Sequence, residues 1–211
     1  MADWSTIASL ATAGGTLVLG VATFAAVRSA NRSSRISEEA LAVSMRPVLV
    51  QSRDDDPAEP LMWVDERWGT ILGGHGYVEY TDDVVYLGML VRNVGSGIAV
   101  IQAWRAVASA LTTADAFGDP DDFHRHTRDL FVPPHDTGYW IGALRDAQDP
   151  AYASFLDAIE QQRSVTIELL YTDHEGRQPT MTRFSLVPKD DSPNWLCTVI
   201  RHRLVDGADP H

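Results

Sequence analysis

The chain has 211 residues and a formal net charge of −12, with a pI of about 4.8. This acidity excludes general nucleic-acid binding, which requires a basic face, and it disfavours a folded domain lying flat on anionic lipid. Apolar residues make up 45% of the chain, enough for a hydrophobic core, and the single cysteine, Cys197, excludes an intrachain disulfide.

The first predicted element is a transmembrane anchor at residues 1–27. No charged residue occurs from Trp4 to Val27, and these 24 residues in a helix extend about 36 Å, more than the roughly 30 Å hydrocarbon core of a bilayer. A buried helix of a soluble protein is the alternative, but no polar face interrupts the segment. The pattern therefore favours a membrane span.

The charges that flank this segment indicate its type and direction. A cleaved signal peptide needs a basic region before its apolar stretch, but the only side-chain charge there is Asp3. The basic residues follow the segment instead: Arg28, Arg32, Arg35 and Arg46. Basic residues that flank a membrane span stay on the cytoplasmic side of the membrane. We therefore expect a single-pass inner-membrane protein with its N-terminus outside and its C-terminal domain in the cytoplasm.

Small residues four positions apart occur twice in the predicted span. Ala11 with Gly15, and Ala22 with Ala26, would let two such helices approach closely, so a homo-oligomer is possible through the span. After the span no Gly or Pro occurs until Pro47, and we expect the helix to continue as a juxtamembrane stalk over residues 28–45. The residue before a proline avoids the helical region, which should end the stalk.

From residue 46 to residue 205 the pattern changes to short β-like runs separated by turn residues. The clearest pair of runs is the segment 164–188, where apolar residues alternate on either side of a turn containing Asp173 and Gly176. One short inserted helix is predicted after Asp149, with one apolar face formed by Tyr152, Phe155, Leu156 and Ile159.

Seven or eight strands in this segment predict a mainly β fold, an immunoglobulin-like antiparallel β-sandwich. The polar stretch Leu111–His126 is rich in Asp, Gly and Pro and predicts a long surface loop. Residues 206–211 predict a disordered tail.

A Gly-Ser-Gly at residues 95–97 follows an apolar run and could be mistaken for a phosphate-binding loop. A dinucleotide fingerprint would require a third glycine where Val100 stands, and the Gly-Lys-Ser/Thr ending of a P-loop is missing. We therefore interpret the glycines as a turn or bulge that uses their positive φ. Residues 98–107 are compatible with a helix, by the spacing of Ile98, Ile101 and Trp104, and equally with a buried strand.

The segment LVRNVGSGIAVIQAW resembles a stretch found in a group of uncharacterised bacterial, mainly actinobacterial, proteins with an N-terminal membrane helix. Three further segments look like parts of the same pattern: TRDLFVPPHDTGYWIGALRD, LLYTDHEGRQPTMTRFSL and WLCTVIRHR. The resemblance covers most of residues 47–205. In that group an Asn-x-Gly-x-Gly-x-Ala element joins two strands of a small β-sandwich, so the resemblance implies that residues 98–107 form a strand. It implies no activity and no catalytic residue.

His124 and His126 are the first candidate metal ligands, because histidines two apart on a strand point the same way and could share a Zn²⁺ ion. His135 is a candidate third ligand. Arg125 and Arg128 oppose a cation, however, and the surrounding stretch has the composition of a solvated loop. We therefore predict no metal ion and no other cofactor.

No catalytic residue is predicted either. His135 and Asp136 are adjacent, so on a strand they would face opposite sides. A serine hydrolase would need its nucleophile on a G-x-S-x-G elbow, which Gly-Ser-Gly does not supply. Cys197 and His202 would also face opposite ways on one strand, and we expect Cys197 to be a buried thiol. The acidic turn at Asp173–Glu175 is expected to be solvated.

Tyr139, Trp140 and Arg145 are candidate partner-binding residues, since aromatic and Arg side chains are common hot spots, although core packing should claim at least one of the two aromatics. The expected function is a non-catalytic interaction, scaffold or sensory module that recruits a protein partner to the cytoplasmic face. The alternatives are a membrane-anchored hydrolase or ligand-binding sensor that uses the histidine loops, or a membrane effector that oligomerises through its span.

Overall fold

The computed structural model describes residues 4–149, 151–189 and 192–205, with the side chains of residues 4–14, 16, 18, 39 and 42 left out. The chain divides into two compact units, and the boundary falls between Ser44 and Met45. The predicted disordered tail, residues 206–211, and the side chain of Ala11 lie outside the described residues, as does Pro150.

The first unit contains one helix, α1 (Trp4–Ser44), which runs without interruption through the predicted span and the predicted stalk. It ends before Arg46-Pro47, as the restriction on a residue preceding proline predicts. Gly15, Ala22 and Ala26 are exposed on this helix. Within the part of the chain that the structure describes, no helix is both long and apolar enough to cross a membrane.

The second unit is mainly β, as predicted, and contains one short inserted helix, α2 (Tyr152–Glu160). Its described strands are, in chain order, β1 (Leu49–Gln51), β2 (Glu59–Met62), β3 (Trp68–Ile71), β4 (His75–Thr81), β5 (Val84–Asn93), β6 (Ala99–Val107), β7 (His124–Val132), β8 (Thr137–Leu144), β9 (Val165–Thr172), β10 (Thr180–Val187) and β11 (Asn194–Leu204).

Nine of these strands form one antiparallel sheet, in which β8 pairs with β5 and the order continues through β4, β11, β10, β9 and β6 to β7. The short strand β1 pairs with the last three residues of β5. Every one of the nine strands contributes a buried side chain to a single core cluster. A sheet can do this only by curling around that core, so the fold is a half-barrel, whereas the predicted sandwich would have two separate facing sheets.

Side chains of α2 complete this core. Tyr152, Phe155 and Ala158 are buried in the cluster, and Leu156 and Ile159 pack against it, so the predicted apolar face is the face that the helix buries. The Tyr152 hydroxyl also donates a hydrogen bond to the carbonyl oxygen of Asp83 in the β4–β5 turn, at 2.9 Å. The helix is thereby fixed to the half-barrel by apolar burial and by one polar contact.

The outer face of the sheet is covered in two places. The β2–β3 hairpin packs Leu61, Trp63 and Ile71 against aromatic side chains of β4 and β5. Residues 108–123 cover β6, β9 and β10 by burying Phe117 and Phe123 against the sheet. The prediction of a surface loop at Leu111–His126 is therefore wrong in two respects. The loop ends before His124, where β7 begins, and its aromatic side chains, Phe117 and Phe123, are buried.

A buried ion pair holds residues 108–123 in place. Arg183 on β10 and Glu168 on β9 are directly opposite one another and fully buried, with Arg183 Nη2 2.6 Å from Glu168 Oε1. The same guanidinium donates hydrogen bonds to the carbonyl oxygens of Thr112, Asp115 and Ala116. Because a buried cation needs every donor satisfied, this pair fixes the covering segment to the sheet.

The contacts around Asn93 explain why glycines stand at residues 95 and 97. Its side chain is fully buried, and Oδ1 accepts from the backbone N–H of Val48 and of Gly95, while Nδ2 donates to the carbonyl oxygens of Gly97 and Val132. The chain at residues 45–48 passes so close that a Cβ on Gly97 would lie 1.8 Å from the carbonyl oxygen of Met45. The glycines are needed for this close approach, not for a positive φ, which Gly74 and Gly176 have and these two do not.

Residues 99–107 form strand β6, as the resemblance to the actinobacterial group implies. The helical spacing of the apolar residues does not indicate a helix here, because both faces of β6 are covered. Trp104 and Ile101 enter the inner core, while Ala103 packs under Phe117 and Phe123. A strand covered on both faces needs no alternation between apolar and polar residues.

Candidate functional site

The open edges of β7 and β8 lie next to each other and form the seam of the half-barrel. In the described residues β7 pairs only with β6, and β8 pairs only with β5, although β7 and β8 are consecutive in the chain. The sequence predicts a strand, a turn and a strand here, and the structure shows that the two strands form no hydrogen-bonded hairpin with each other. At the turn they are close, since a Cβ on Gly138 would lie 2.8 Å from Val132 Cγ2.

A bulge in β7 directs a side chain across the seam. Between Arg125 and Leu130, four residues of β7 face the single residue Gln102 of β6. Bulges bend the strand and change the direction of a side chain. Here the imidazole of His126 reaches Trp140 on β8, whose indole Nε1 donates a hydrogen bond to His126 Nε2 at 3.1 Å. Side chains, and not a backbone ladder, connect the two strands at this point.

A groove of about 530 Å³, which we call the basic groove, opens along the seam beside His126. Its walls come from β7, β8, Trp104 and the end of the β2–β3 hairpin. No carboxylate of the described residues lines it, although the chain as a whole has a net charge of −12. Its basic side chains are His124, Arg125, His126, Arg128 and Arg145.

A second groove of about 510 Å³, the aromatic groove, continues the first one towards the β7–β8 turn. Arg128 and Leu130 line both grooves, so the two adjoin at these residues. Phe131, which is 63% exposed, and Tyr139 line the aromatic groove together with two carboxylates, those of Glu59 and Asp129. The aromatic groove therefore lacks the carboxylate-free lining of the basic groove.

His124 and His126 lie at the start of β7, not in the predicted loop, and they have different partners. The His124 ring stacks on Trp104 with a centroid distance of 4.5 Å, and its Nε2 is 3.5 Å from Asp149 Oδ2. His126 Nε2 is taken by the Trp140 hydrogen bond. The described residues contain no group of three or more His, Cys, Asp or Glu side chains placed to hold a metal ion.

The pKa of His126 is lowered from its ordinary value, mainly because burial disfavours the imidazolium. Arg128 lowers the pKa further, and Asp129 raises it. A protonated His126 would carry a hydrogen on Nε2 and could not accept the Trp140 hydrogen bond. The neutral ring is therefore the form that connects β7 to β8.

We expect the free energy of unfolding to decrease as the pH falls below about 6.5, the ordinary pKa of histidine. The unfolded chain binds a proton at that pH while the folded His126 does not, so acid favours the unfolded state until the folded pKa is reached. His202, whose pKa is lowered by burial and by Arg46, contributes with the same sign. Urea unfolding of the full-length protein, followed by tryptophan fluorescence between about pH 5 and 8, measures this dependence.

The matched control is His126→Gln, whose amide oxygen can still accept the Trp140 hydrogen bond but does not titrate. This variant should show a shallower dependence of stability on pH, with the contribution of His202 remaining. A variant with the wild-type slope would show that His126 is not the titrating group.

The other candidate residues are spread along the seam. His135 has a φ of 61° in the exposed β7–β8 turn, at the opposite end of β7 from His124. Tyr139 lines the aromatic groove. Arg145 lines the basic groove and pairs with Asp65 Oδ2 at 3.1 Å. Trp140 is fully buried in the core, so it cannot be a direct surface contact.

Cys197, Asp136 and the acidic turn at Asp173–Glu175 all have structural surroundings. The thiol of Cys197 is buried in the core, and burial raises its pKa to about 12, so almost no thiolate exists at neutral pH. Asp136 Oδ1 accepts a hydrogen bond from the N–H of Thr137 at 2.8 Å, which is a local turn contact. The acidic turn between β9 and β10 is likewise structural, since Asp173 Oδ1 accepts from the N–H groups of Glu175 and Arg177.

Sequence reasoning missed much of this site. It treated Arg125 and Arg128 only as charges that oppose a metal ion, and it did not connect them with Trp104 or with the hairpin end at residues 62–64. The signal that could have found them is the run His-Arg-His-Thr-Arg at residues 124–128, which concentrates basic side chains within an acidic chain.

No protein-family model matches the chain, and no curated protein matches it. Among solved structures, the chain is similar to one described as a crystal structure of a protein from Archaeoglobus fulgidus. The sequence identity is 10% and the TM-score 0.24, over 63% of this chain and 94% of that chain. A similarity at this level supports no argument about fold or function.

Proposed function

We propose that the chain is a single-pass membrane protein whose cytoplasmic half-barrel is a non-catalytic module that binds a protein partner in the seam between β7 and β8. The observation that supports this proposal most is the pair of adjoining grooves along the seam, the basic groove and the aromatic groove. A groove on the open side of a half-barrel is a common place for a bound molecule.

The side chains along the seam are of the types that contribute most to protein interfaces. Arg, Tyr, Phe, Trp and Met are enriched at such interfaces, whereas Asp, Glu and Lys are depleted. Arg125 and Arg128 are exposed at the basic groove, and Val64 and Met62 present apolar surface beside them. Catalysis has less support, because His124 and His126 are engaged by Asp149, Trp104 and Trp140.

The membrane part of the proposal rests on the uncharged segment from Trp4 to Val27 and on the continuous helix α1 that contains it. Much of that segment lies among the residues whose side chains are not described. The described apolar side chains, such as Leu17, Leu19 and Phe24, are exposed, which suits contact with lipid. The arginines that follow favour a cytoplasmic half-barrel, with Ala11/Gly15 and Ala22/Ala26 as the proposed contacts of a homo-oligomer.

We also propose that the chain belongs to the group of actinobacterial membrane-anchored proteins that it resembles. The support is the role of the Asn-x-Gly-x-Gly-x-Ala element, in which Asn93, Gly95 and Gly97 fix the chain that enters the half-barrel at residues 45–48.

Photo-crosslinking of the full-length protein in its native cell tests the proposed binding site. A benzophenone amino acid would replace Phe131 or Tyr139 in the aromatic groove, and Trp68, which is 61% exposed on β3 and lines neither groove, would be the matched control position. We expect one discrete adduct from the groove positions and none from Trp68. A variant lacking residues 1–44 should lose most of the adduct, because it is no longer held at the membrane.

The result that would overturn the proposal is equally specific. If Phe131 and Tyr139 give no adduct, or the same diffuse adducts as Trp68, the seam is not a binding site for a protein partner.

A further inference from the structure

The kind of segment that the seam accepts can be inferred from its charge and its backbone. We propose that the basic and aromatic grooves bind an extended, acidic segment of the partner protein, which lies along the open edges of β7 and β8 in the manner of an added strand. This inference rests on the proposed function and adds the chemical class and the conformation of the bound segment.

The charge of the basic groove supports an anionic occupant. No carboxylate of the described residues lines it, and its basic side chains, besides the neutral His126, are His124, Arg125, Arg128 and Arg145. The aromatic groove is lined by Glu59 and Asp129, so the carboxylates of the occupant belong in the basic groove. Arg145 is paired with Asp65, and His124 lies near Asp149. Arg125 and Arg128, by contrast, form no ion pair with any residue that the structure describes. These two guanidinium groups are available to carboxylates of a partner, to which arginine can bind in a bidentate manner.

The backbone at the seam supports an extended occupant. A strand at the edge of a sheet presents N–H and C=O groups that an added peptide can pair with. In the described residues β7 pairs with β6 alone and β8 pairs with β5 alone, so one edge of each strand has no strand partner. The carbonyl oxygen of Gly142 is already taken by the indole Nε1 of Trp63 at 2.9 Å, so an added segment would pair with the other groups of these edges.

The two grooves together follow β7 from His124 to Phe131, which lie opposite Trp104 and Val100 of β6. Because the bulge shortens β7, this stretch is roughly 13 Å long, the length of about four extended residues. Successive side chains of a strand point to opposite sides, so an alternating segment could place carboxylates near Arg125 and Arg128 and apolar side chains near Val64 and Phe131.

A second copy of the chain fits the seam less well. Two β7 edges that paired with each other would bring Arg125 and Arg128 of both copies together, and like charges placed opposite one another destabilise a sheet. Each copy also has a net charge of −12. A single-stranded nucleic acid meets the same overall repulsion from the net charge of −12.

Fluorescence anisotropy with defined peptides tests the inference on the full-length protein in detergent. Three labelled peptides of about ten residues are compared: alternating Glu and Val, alternating Lys and Val, and the Glu-Val peptide with proline at two central valines. We expect the Glu-Val peptide to bind at least about tenfold more tightly than the Lys-Val peptide. The proline peptide should bind at least about tenfold more weakly than Glu-Val, because proline removes backbone donors and disfavours a paired strand.

Charge-reversal variants place the binding at the seam. The double variant Arg125→Glu with Arg128→Glu should bind the Glu-Val peptide at least about tenfold more weakly than the unmodified protein does. Arg203→Glu makes a similar change at an exposed position on β11 that lines neither groove, and its affinity should be unchanged. Equal binding by the double variant, or equal binding of a single-stranded DNA of ten thymidines, would overturn the inference.

Sequencing the segment crosslinked at Phe131 separates this inference from the proposed function. An acidic segment without proline supports both. A basic or neutral segment overturns the inference while the proposed function stands. An adduct with twice the mass of the chain identifies a second copy as the occupant and overturns the inference, and the absence of any adduct at the seam overturns both.

Discussion

Replacing Arg183 with methionine is expected to lower the free energy of unfolding by about 3–5 kcal/mol, because it leaves a carboxylate buried without its main partner. Glu168 is fully buried and would keep only Arg105 and the N–H of Gly118. The carbonyl oxygens of Thr112, Asp115 and Ala116 would lose their donor as well. Urea unfolding of the full-length protein, followed by tryptophan fluorescence, measures the change.

A local readout accompanies the global one. Since the guanidinium holds residues 108–123 against the sheet, limited proteolysis of the Arg183→Met variant should cleave this segment faster than in the unmodified protein. Arg163→Met is the matched control, because its ion pair with Asp157 is exposed, and such pairs contribute little to stability.

The double variant Arg183→Met with Glu168→Leu removes both buried charges and should recover part of the lost stability, since buried pairs are often replaceable by apolar side chains. Recovery should be incomplete because the three carbonyl oxygens remain without their donor. If Arg183→Met cost no more than Arg163→Met, the buried pair would not be what fixes the covering segment.

Asn93→Ala is expected to lower the free energy of unfolding by about 4 kcal/mol, because four hydrogen bonds are lost at about 1 kcal/mol each. The side chain is fully buried and connects the start of β1, the β5–β6 turn and the end of β7. Alanine would leave two half-buried N–H groups, those of Val48 and Gly95, and two carbonyl oxygens without this partner. Thermal or urea unfolding measures the effect.

Asn194→Ala is the matched control for this prediction. Asn194 is half-buried, and its Oδ1 accepts one hydrogen bond, from the N–H of Leu72 at 3.1 Å, so the loss should be about 1 kcal/mol. Equal losses in the two variants would mean that the Asn93 contacts add nothing beyond an ordinary surface hydrogen bond. Gly97→Ala should be destabilising at the same place, because its Cβ would collide with the carbonyl oxygen of Met45.

Local patterns predicted those parts of the fold that depend on neighbouring residues. The alternation of Val165, Ile167, Leu169 and Tyr171 predicts β9, and all four side chains enter the core. The apolar face from Tyr152 to Ile159 predicts α2. In both cases the residues that decide the element lie within a few positions of one another, so no knowledge of distant contacts is required.

Pairing across the sheet could not be predicted in the same way. Residues 130–144 read as a strand, a turn and a strand, which locally favours a hairpin, yet β7 pairs with β6 and β8 pairs with β5. The burial of Glu168 could not be predicted from the sequence either, because it depends on residues 108–123 covering the outer face of the sheet. Such choices depend on contacts between distant segments, which a propensity does not encode.

The candidate site was predictable only in outline for the same reason. The histidines at 124 and 126 stand out by their spacing, but the sequence does not show that the ring of His126 crosses to Trp140 or that Trp104 lies beneath His124. The grooves exist because the sheet fails to close between β7 and β8. Closure depends on strand number and curvature, which no short segment of the sequence determines.

The buried position of Cys197 provides a way to measure how fast the half-barrel opens. The chain has one cysteine, and its thiol lies in the core beside Met89, with its pKa raised to about 12 by burial. A maleimide reacts with an accessible thiolate, so labelling should be negligible in the folded half-barrel and rapid once β11 separates from its neighbours. The labelling rate of the full-length protein, with Cys197→Ser as the blank, would then measure how fast β11 separates, and rapid labelling of the native protein would contradict the buried position.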